Sequence, residues 1–264
     1  MPQLAPLLAG EVEGFDPAAF KMLAASEDGH FWFESRNRLI VHALRRWFPD
    51  MRRYLEVGCG TGCVLAAVQS AFPQARITAS EVLAAGLLFA AARAPGVEFL
   101  QLDARALPYE SEFDVIGAYD VLEHISEDET VLAQFRLALK DGGGVVLCVP
   151  QHPSLWSSQD DLAQHKRRYR SGELEAKLLS AGFTVLYTTS FMTVLLPLLW
   201  FARRRKDSKA APLAQAHAEL APHPIMNTLL GGLLAVERAL LRMGARLPIG
   251  SSRLVVATIT RPAA

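Results

Sequence analysis

Cysteine is scarce in this chain. There are three among 264 residues: Cys59 and Cys63 in one glycine-rich turn, and Cys148 in an apolar run. That number and spacing exclude a disulfide scaffold and match no zinc-binding pattern, and they fit a reducing, cytoplasmic setting. Net charge is lacking too. Lys plus Arg equals Asp plus Glu, at 27 each, so no overall field draws the chain to nucleic acid or to an anionic membrane. No basic stripe interleaved with aromatics occurs, which argues against a nucleic-acid partner. The first ten residues hold no basic group, so a secretory leader is not expected. No repeat or low-complexity tract appears.

Apolar side chains are what the chain has in quantity, 51% of the total, enough for one large α/β domain with additions. Between about residues 53 and 190, short apolar runs alternate with stretches of helical period, the pattern of a parallel sheet covered by helices. Strands are predicted at 53–58, 75–80, 97–101, 113–119, 143–149 and 183–190, and helices at 62–71, 83–93, 126–140 and 171–181. Runs such as Gly144-Val-Val-Leu-Cys-Val149 lack alternation, as strands buried on both faces do. Gly142-Gly143-Gly144 is expected to cap the third helix. A last strand is predicted at 253–260.

The stretch before that last strand reads as an insertion. Residues 183–201 carry no charge and precede Arg203-Arg204-Arg205-Lys206, but 183–190 reads as a strand. The remaining 191–201, with Pro197 inside, are too short to span a bilayer. Two helices are predicted, joined by a polar, proline-containing link at 203–224. The second takes Asn227 as its N-cap and stops near Gly244. Its leucines at 229/230, 233/234 and 240/241 form a stripe broken by Glu237. Packing of this stripe on the domain is expected; a lid over a hydrophobic substrate, or peripheral membrane contact, is the other reading. The organisation expected is a cap segment at 1–48, a core at 49–190 with 251–264, and a helical insertion at 191–250.

The stretch Tyr54-Leu-Glu-Val-Gly-Cys-Gly-Thr-Gly62 runs a short apolar strand into a turn with glycine at 58, 60 and 62. Glycine there lets the backbone take positive φ and press against a ligand. Glu56 places a negative charge at the same lip, which suits a partly cationic ligand better than a diphosphate. The dinucleotide fingerprint G-x-G-x-x-G fits poorly, since Cys63 or Leu65 stands where its third small residue belongs. The segment resembles motif I, E/D-x-G-x-G-x-G, of the class I S-adenosylmethionine-dependent methyltransferases, and the type 11 small-molecule branch in particular. The resemblance covers roughly 30–190 and the last strand. It implies a Rossmann-like, doubly wound, mostly parallel α/β sheet with an antiparallel last strand, here with an N-terminal helical cap and the insertion.

Further positions extend the resemblance. Glu81 ends the second strand, where an acid accepts from the ribose hydroxyls; dinucleotide enzymes use the same device. Asp103 ends the third strand, where the family bonds the adenine amine, with the N–H of Ala104 on a ring nitrogen. After the fourth strand comes Asp120-Val-Leu-Glu-His-Ile125. Carbonyls around Tyr119 and Asp120, with Glu56, would hold the methionine ammonium, and His124 would line the pocket or brace the loop. In His30-Phe-Trp-Phe-Glu-Ser-Arg36, Trp32 and Arg36 match a segment that closes over the cofactor; a helix stapled to the sheet by its aromatics is the alternative. His165-Lys-Arg-Arg-Tyr-Arg170 is positioned to overhang the site. There His165 is the first candidate general base and His152 the second, with Arg167 and Arg168 as candidate anchors for a phosphate or carboxylate; a solvated basic loop is the alternative.

The resemblance thus implies methyl transfer from S-adenosylmethionine to a small acceptor, by in-line displacement and without a metal. The apolar insertion tilts the acceptor toward a lipophilic or lipid-linked molecule. An NAD-dependent oxidoreductase and a catalytically silent methyltransferase-like binding module are the competing readings.

Overall fold

The computed structural model describes residues 1–10, 17, 19–197 and 222–259. Two helices come first, α1 (Ala19–Ser26) and α2 (Phe31–Trp47). Then β1 (Arg53–Val57), α3 (Cys63–Ala71), β2 (Arg76–Glu81), α4 (Ala84–Arg93), β3 (Glu98–Gln101) and β4 (Phe113–Tyr119) alternate. They are followed by α5 (Asp128–Ala138), β5 (Leu139–Pro150), a short α6 (Ser158–Leu162), α7 (Glu173–Ser180) and β6 (Thr184–Phe191). The described chain closes with α8 (Pro224–Arg242) and β7 (Ser252–Thr258).

The strands form one sheet in the order β3-β2-β1-β4-β5-β7-β6. The pairs from β3 through β5 are parallel, and β7 inserts antiparallel between β5 and β6, as the resemblance implied. Alternate side chains of the central strands feed two cores. Tyr54, Val115, Val146 and Cys148 face α2, α3 and α4; Leu55, Ile116, Val145 and Leu147 face α5 and α7. The strand order reverses between β1 and β4, and a crevice outside the carboxyl ends of the strands forms at such a point.

Three local expectations are corrected. The glycines at 142–144 do not cap a helix. α5 ends at Ala138, Leu139 is extended, and the ladder jumps from Phe113↔Leu139 to Val115↔Gly144. A Cβ on Gly144 would stand 2.3 Å from the Ala257 carbonyl oxygen, and one on Gly143 2.8 Å from that of Lys140. Close backbone approach, not capping, is what these glycines serve.

Asn227 is not the N-cap of α8, which starts at Pro224 behind His223. Instead its Oδ1 accepts from the Phe31 N–H at 2.9 Å and its Nδ2 donates to the Gly29 carbonyl at 2.8 Å, so it caps α2. Glu237 does not break the packing stripe. It is buried, and its carboxylate accepts from the N–H groups of Met192 at 2.6 Å and Val194 at 3.0 Å.

α8 docks on α2 with Leu234 and Leu241 buried, while Ile225, Leu229, Leu233, Val236, Leu240 and Met243 stay exposed. By length and composition alone α8 is the one helix among the described residues apolar enough to cross a membrane. Of the predicted first insertion helix, Phe191 belongs to β6 and 192–195 are not helical; its residues 198–201, the basic run 203–206 and the part 203–221 of the link lie outside the described residues, as does the end of the predicted last strand.

Candidate cofactor and acceptor site

All three turn glycines have positive φ, +69° at Gly58, +53° at Gly60 and +80° at Gly62. They serve different ends. A Cβ on Gly58 would meet Val121 at 2.5 Å and one on Gly62 the Ala90 backbone at 2.7 Å, so these two allow packing. A Cβ on Gly60 would meet only the Phe20 ring, at 3.9 Å; its face is the open one. α1 covers the turn with Phe20, and behind it Thr61 Oγ1 donates to Glu27 Oε2 at 2.5 Å while Arg93 bonds both. Phe20, Glu27 and Arg93 were not read from the sequence. Their partners lie far along the chain, and no local pattern marks them.

The three acids lie at the carboxyl ends of three adjacent strands. Glu56 is buried in β1, takes a hydrogen bond from the Tyr54 hydroxyl at 3.2 Å and another from the Leu65 N–H. Burial pushes its carboxyl up to about 8, against the lowering from Tyr54 and from the nearby Arg36 charge. Glu81 accepts from the N–H groups of Gly60 (3.0 Å), Val82 (2.8 Å) and Leu83 (3.2 Å). Burial raises its carboxyl in spite of these bonds. With about four lone-pair sites on a carboxylate, gripping both ribose hydroxyls requires it to release one backbone donor. Burial first, then the Glu81 and Glu56 charges, push the buried Cys59 thiol well up. Asp103 is less enclosed. Burial alone would raise it, but a fork of bonds from Arg105, at 2.9–3.1 Å, holds it below the usual range. Ala104 follows, buried.

At the end of β4 the Tyr119 hydroxyl meets that of Tyr54 at 3.0 Å. Asp120 sits at φ +57°, outside the range most residues adopt, with its N–H donating to the Cys148 carbonyl at 2.9 Å. Its carboxylate pairs with Arg36 Nη1 at 2.6 Å, and the Arg36 guanidinium lies 4.7 Å from the Trp32 ring centroid. Trp32 and Arg36 are thereby fixed to the carboxyl end of β4.

A single 3-10 turn, Leu122–His124, follows. His124 meets the His165 ring edge-on, centroids 4.7 Å apart. His165 Nδ1 lies 2.9 Å from Asp160 Oδ1, and its Nε2 is 3.9 Å from Glu123 Oε1. Asp160 is fully buried and also takes bonds from Ser157 and from Arg168 Nε. Burial would raise its carboxyl, but His165 and Arg168 hold it far below the usual range. Burial, then the Asp120 charge, push the Glu123 carboxyl well above that range.

His152 sits at the end of β5 on the same edge, at φ +62°. Burial, then Arg253 and Arg168, lower its pKa and so favour the neutral imidazole. Arg168 is committed to Asp160 and the Gln151 carbonyl, and Arg167 to Asp128 and the Ser126 carbonyl. Both hold their loop, and neither is a ready anchor for an anionic acceptor. Glu123 and Asp160 were passed over in the sequence. Glu123 was hidden among apolar neighbours, and Asp160 was legible only as the fourth residue of a Ser157-x-x-Asp160 capping box. A cleft of about 500 Å³ at the amino ends of β2 and β3, lined by residues including Phe72, Arg76 and Glu98, lies on the opposite edge and contains none of these groups.

A family model described as a methyltransferase domain matches residues 55–143. The trans-aconitate 2-methyltransferase of Azoarcus sp. (strain BH72) is 27% identical over 132 residues, half of this chain and half of that protein. The enzyme of the same name from Paracidovorax citrulli (strain AAC00-1) is 31% identical over 151 residues, 54% of this chain and 58% of that one. The chain thus spans about half the length of the curated relatives it matches. Among solved structures, a putative sarcosine dimethylglycine methyltransferase from Galdieria sulphuraria superposes with a TM-score of 0.61 at 14% identity, covering 92% of this chain and 98% of that one. That likeness is one of fold. Residues 55–143 thus match a methyltransferase domain, and that domain is seated on a sheet with the Rossmann-like methyltransferase fold.

Proposed function

We propose that the protein transfers a methyl group from S-adenosylmethionine to a small-molecule acceptor. The observation that carries this reading is the buried Glu56 carboxyl, raised to about 8 beside a turn whose Gly60 face is open. A cation bound beside such an acid favours its charged form, which a diphosphate does not. When bound, S-adenosylmethionine supplies a sulfonium methyl already activated for displacement. The chain's own residues bind and orient. In this proposal Glu56 and the carbonyls around Tyr119 and Asp120 take the methionine ammonium. Gly58, Gly60 and Gly62 let the backbone come close, Glu81 takes the ribose, and Asp103 with the Ala104 N–H takes the adenine. Trp32, Arg36 and His124 enclose the methionine end.

Transfer then depends on aligning the acceptor and excluding water, and alignment supplies on the order of 7–11 kcal/mol in favourable systems. A hydroxyl acceptor also needs its proton handled, and the Asp160-oriented His165 is the group placed for it, with His152 second. A carboxylate acceptor, as the relatives' name implies for them, needs no base. Incubation with a methyl-labelled cofactor and a cellular metabolite extract tests the reading. Label in a new small molecule, with S-adenosylhomocysteine formed in equal amount, supports it. No label in any product removes it in favour of a silent binding module.

A second reading of the acceptor, lipophilic or lipid-linked, is favoured by the exposed apolar row on α8. Co-sedimentation with phosphatidylcholine vesicles, lost when Leu229 and Leu233 are replaced by Ser, would support it.

A further inference from the structure

Glu123, His124 and His165 each offer a ligand atom, and these atoms lie within 4.8 Å of one another. Two come from the turn after β4 and one from the loop after α6. That loop is tied down beside the turn by the Lys166 N–H, which donates to the Glu123 carbonyl at 2.8 Å. An independent observation points to an occupant. Glu123 is completely buried, and neither of its carboxylate oxygens has a hydrogen-bond partner on another described residue. A buried acid with nothing to bond costs stability, and nothing in the fold requires one here.

His165 is also prepared as a ligand. Asp160 already accepts from Ser157 and Arg168, so it is an acceptor toward His165 as well. The ring proton therefore sits on Nδ1, and the lone pair of Nε2 faces Glu123. A carboxylate fixing the far nitrogen is the usual support of a metal-bound histidine.

We propose that Glu123, His124 and His165 bind a divalent first-row metal cation, with Asp160 as the positioning residue behind His165. Two imidazoles and one carboxylate favour manganese, iron or zinc over magnesium or calcium. A cation about 2.0–2.2 Å from each donor holds its donors roughly 3.0–3.5 Å apart, so the cluster contracts by about an ångström on binding. Three protein ligands leave coordination positions open. The acceptor class this fits carries two adjacent oxygens, as in a vicinal diol or a hydroxy acid. Its hydroxyl O–H bond breaks, the proton passes to solvent water, and the cation holds the oxygen's charge. His165 is then a ligand rather than a free base. This acceptor role rests on the methyl-transfer reading; the metal site does not.

The test uses the full chain after chelator treatment, titrated with MnCl2 and followed by the electron paramagnetic resonance of free Mn2+. One equivalent is expected to bind. Glu123→Gln, which keeps the side-chain volume, and His165→Asn are each expected to weaken binding at least tenfold, the lower bound for loss of even an outer-shell partner. Circular dichroism and S-adenosylmethionine affinity should stay as in the parent. Absence of Mn2+ binding at millimolar concentration, or unchanged affinity in both variants, overturns the proposal. Cofactor binding without Mn2+ binding sinks the metal site and leaves the transferase reading standing. Mn2+ binding without cofactor binding does the reverse.

Discussion

Glu56 makes cofactor affinity depend on pH in a way the structure sets. Its carboxyl titrates at about 8 in the free protein because burial opposes its charge, so at pH 6 only about one molecule in a hundred carries the carboxylate. A bound ammonium needs that carboxylate, and binding must therefore release a proton on the acid side. The cofactor's own α-amino group, with a pKa near 7.7–8.0, loses its charge on the alkaline side. The product of the two charged fractions peaks close to pH 8, about twentyfold above its value at pH 6, or roughly 1.8 kcal/mol of binding free energy.

Isothermal titration of S-adenosylmethionine at half-unit steps from pH 6 to 9 reads this directly. Glu56→Gln should bind more weakly and show no acid limb. A wild-type affinity that is flat between pH 6 and 8, or an acid limb unchanged in Glu56→Gln, would refute the reasoning.

The same carboxyl governs the stability of the free protein. Its folded pKa is raised from 4.5 to about 8, so its favourable contribution is complete below 4.5 and is lost as pH rises through 8. At about 1.36 kcal/mol per pH unit, the loss is on the order of 5 kcal/mol. Glu56→Gln should accordingly raise the Tm of the cofactor-free protein at pH 8.5 and leave it nearly unchanged at pH 4. Gly60→Val should abolish cofactor binding with the fold retained, since the space is open apart from Phe20 and the backbone strain costs only about 1–3 kcal/mol. Gly62→Ala, meeting the Ala90 backbone, should lose folded protein, as circular dichroism would show. Asp103→Ala should weaken cofactor binding by about 1–3 kcal/mol. Asp103→Asn, which keeps an acceptor oxygen, should weaken it less by calorimetry.

The sheet was legible because its strands announce themselves. Val115–Tyr119 and Val145–Val149 are near-continuous apolar runs, and burial on both faces leaves no other home for them. The convergence of Glu56, Glu81 and Asp103 on one edge was legible for the same reason: β1, β2 and β3 are neighbours, so acids at their ends must converge. What failed was whatever depends on contact across the fold. Gly142–Gly144 carry the composition of a helix cap, but the constraint on Gly144 comes from Ala257 on another strand and that on Gly143 from the Lys140 and Asp114 carbonyls. Asn227 has the chemistry of an N-cap and acts as one, on a helix almost two hundred residues earlier (31 against 227). Glu237 looked like a solvated interruption because nothing local reveals the bare N–H groups of Met192 and Val194. Spacing along the chain showed no metal-ligand set, because His165 reaches Glu123 only through the docking of its loop on the turn after β4.

The central claim is that the glycine turn and its three acids hold an adenosyl sulfonium and not a dinucleotide. Parallel calorimetric titrations of the full protein with S-adenosylmethionine and with NADH test it most directly. The account predicts one equivalent of S-adenosylmethionine bound, lost in Gly60→Val, and no heat with NADH. Saturable NADH binding with none of S-adenosylmethionine would contradict it.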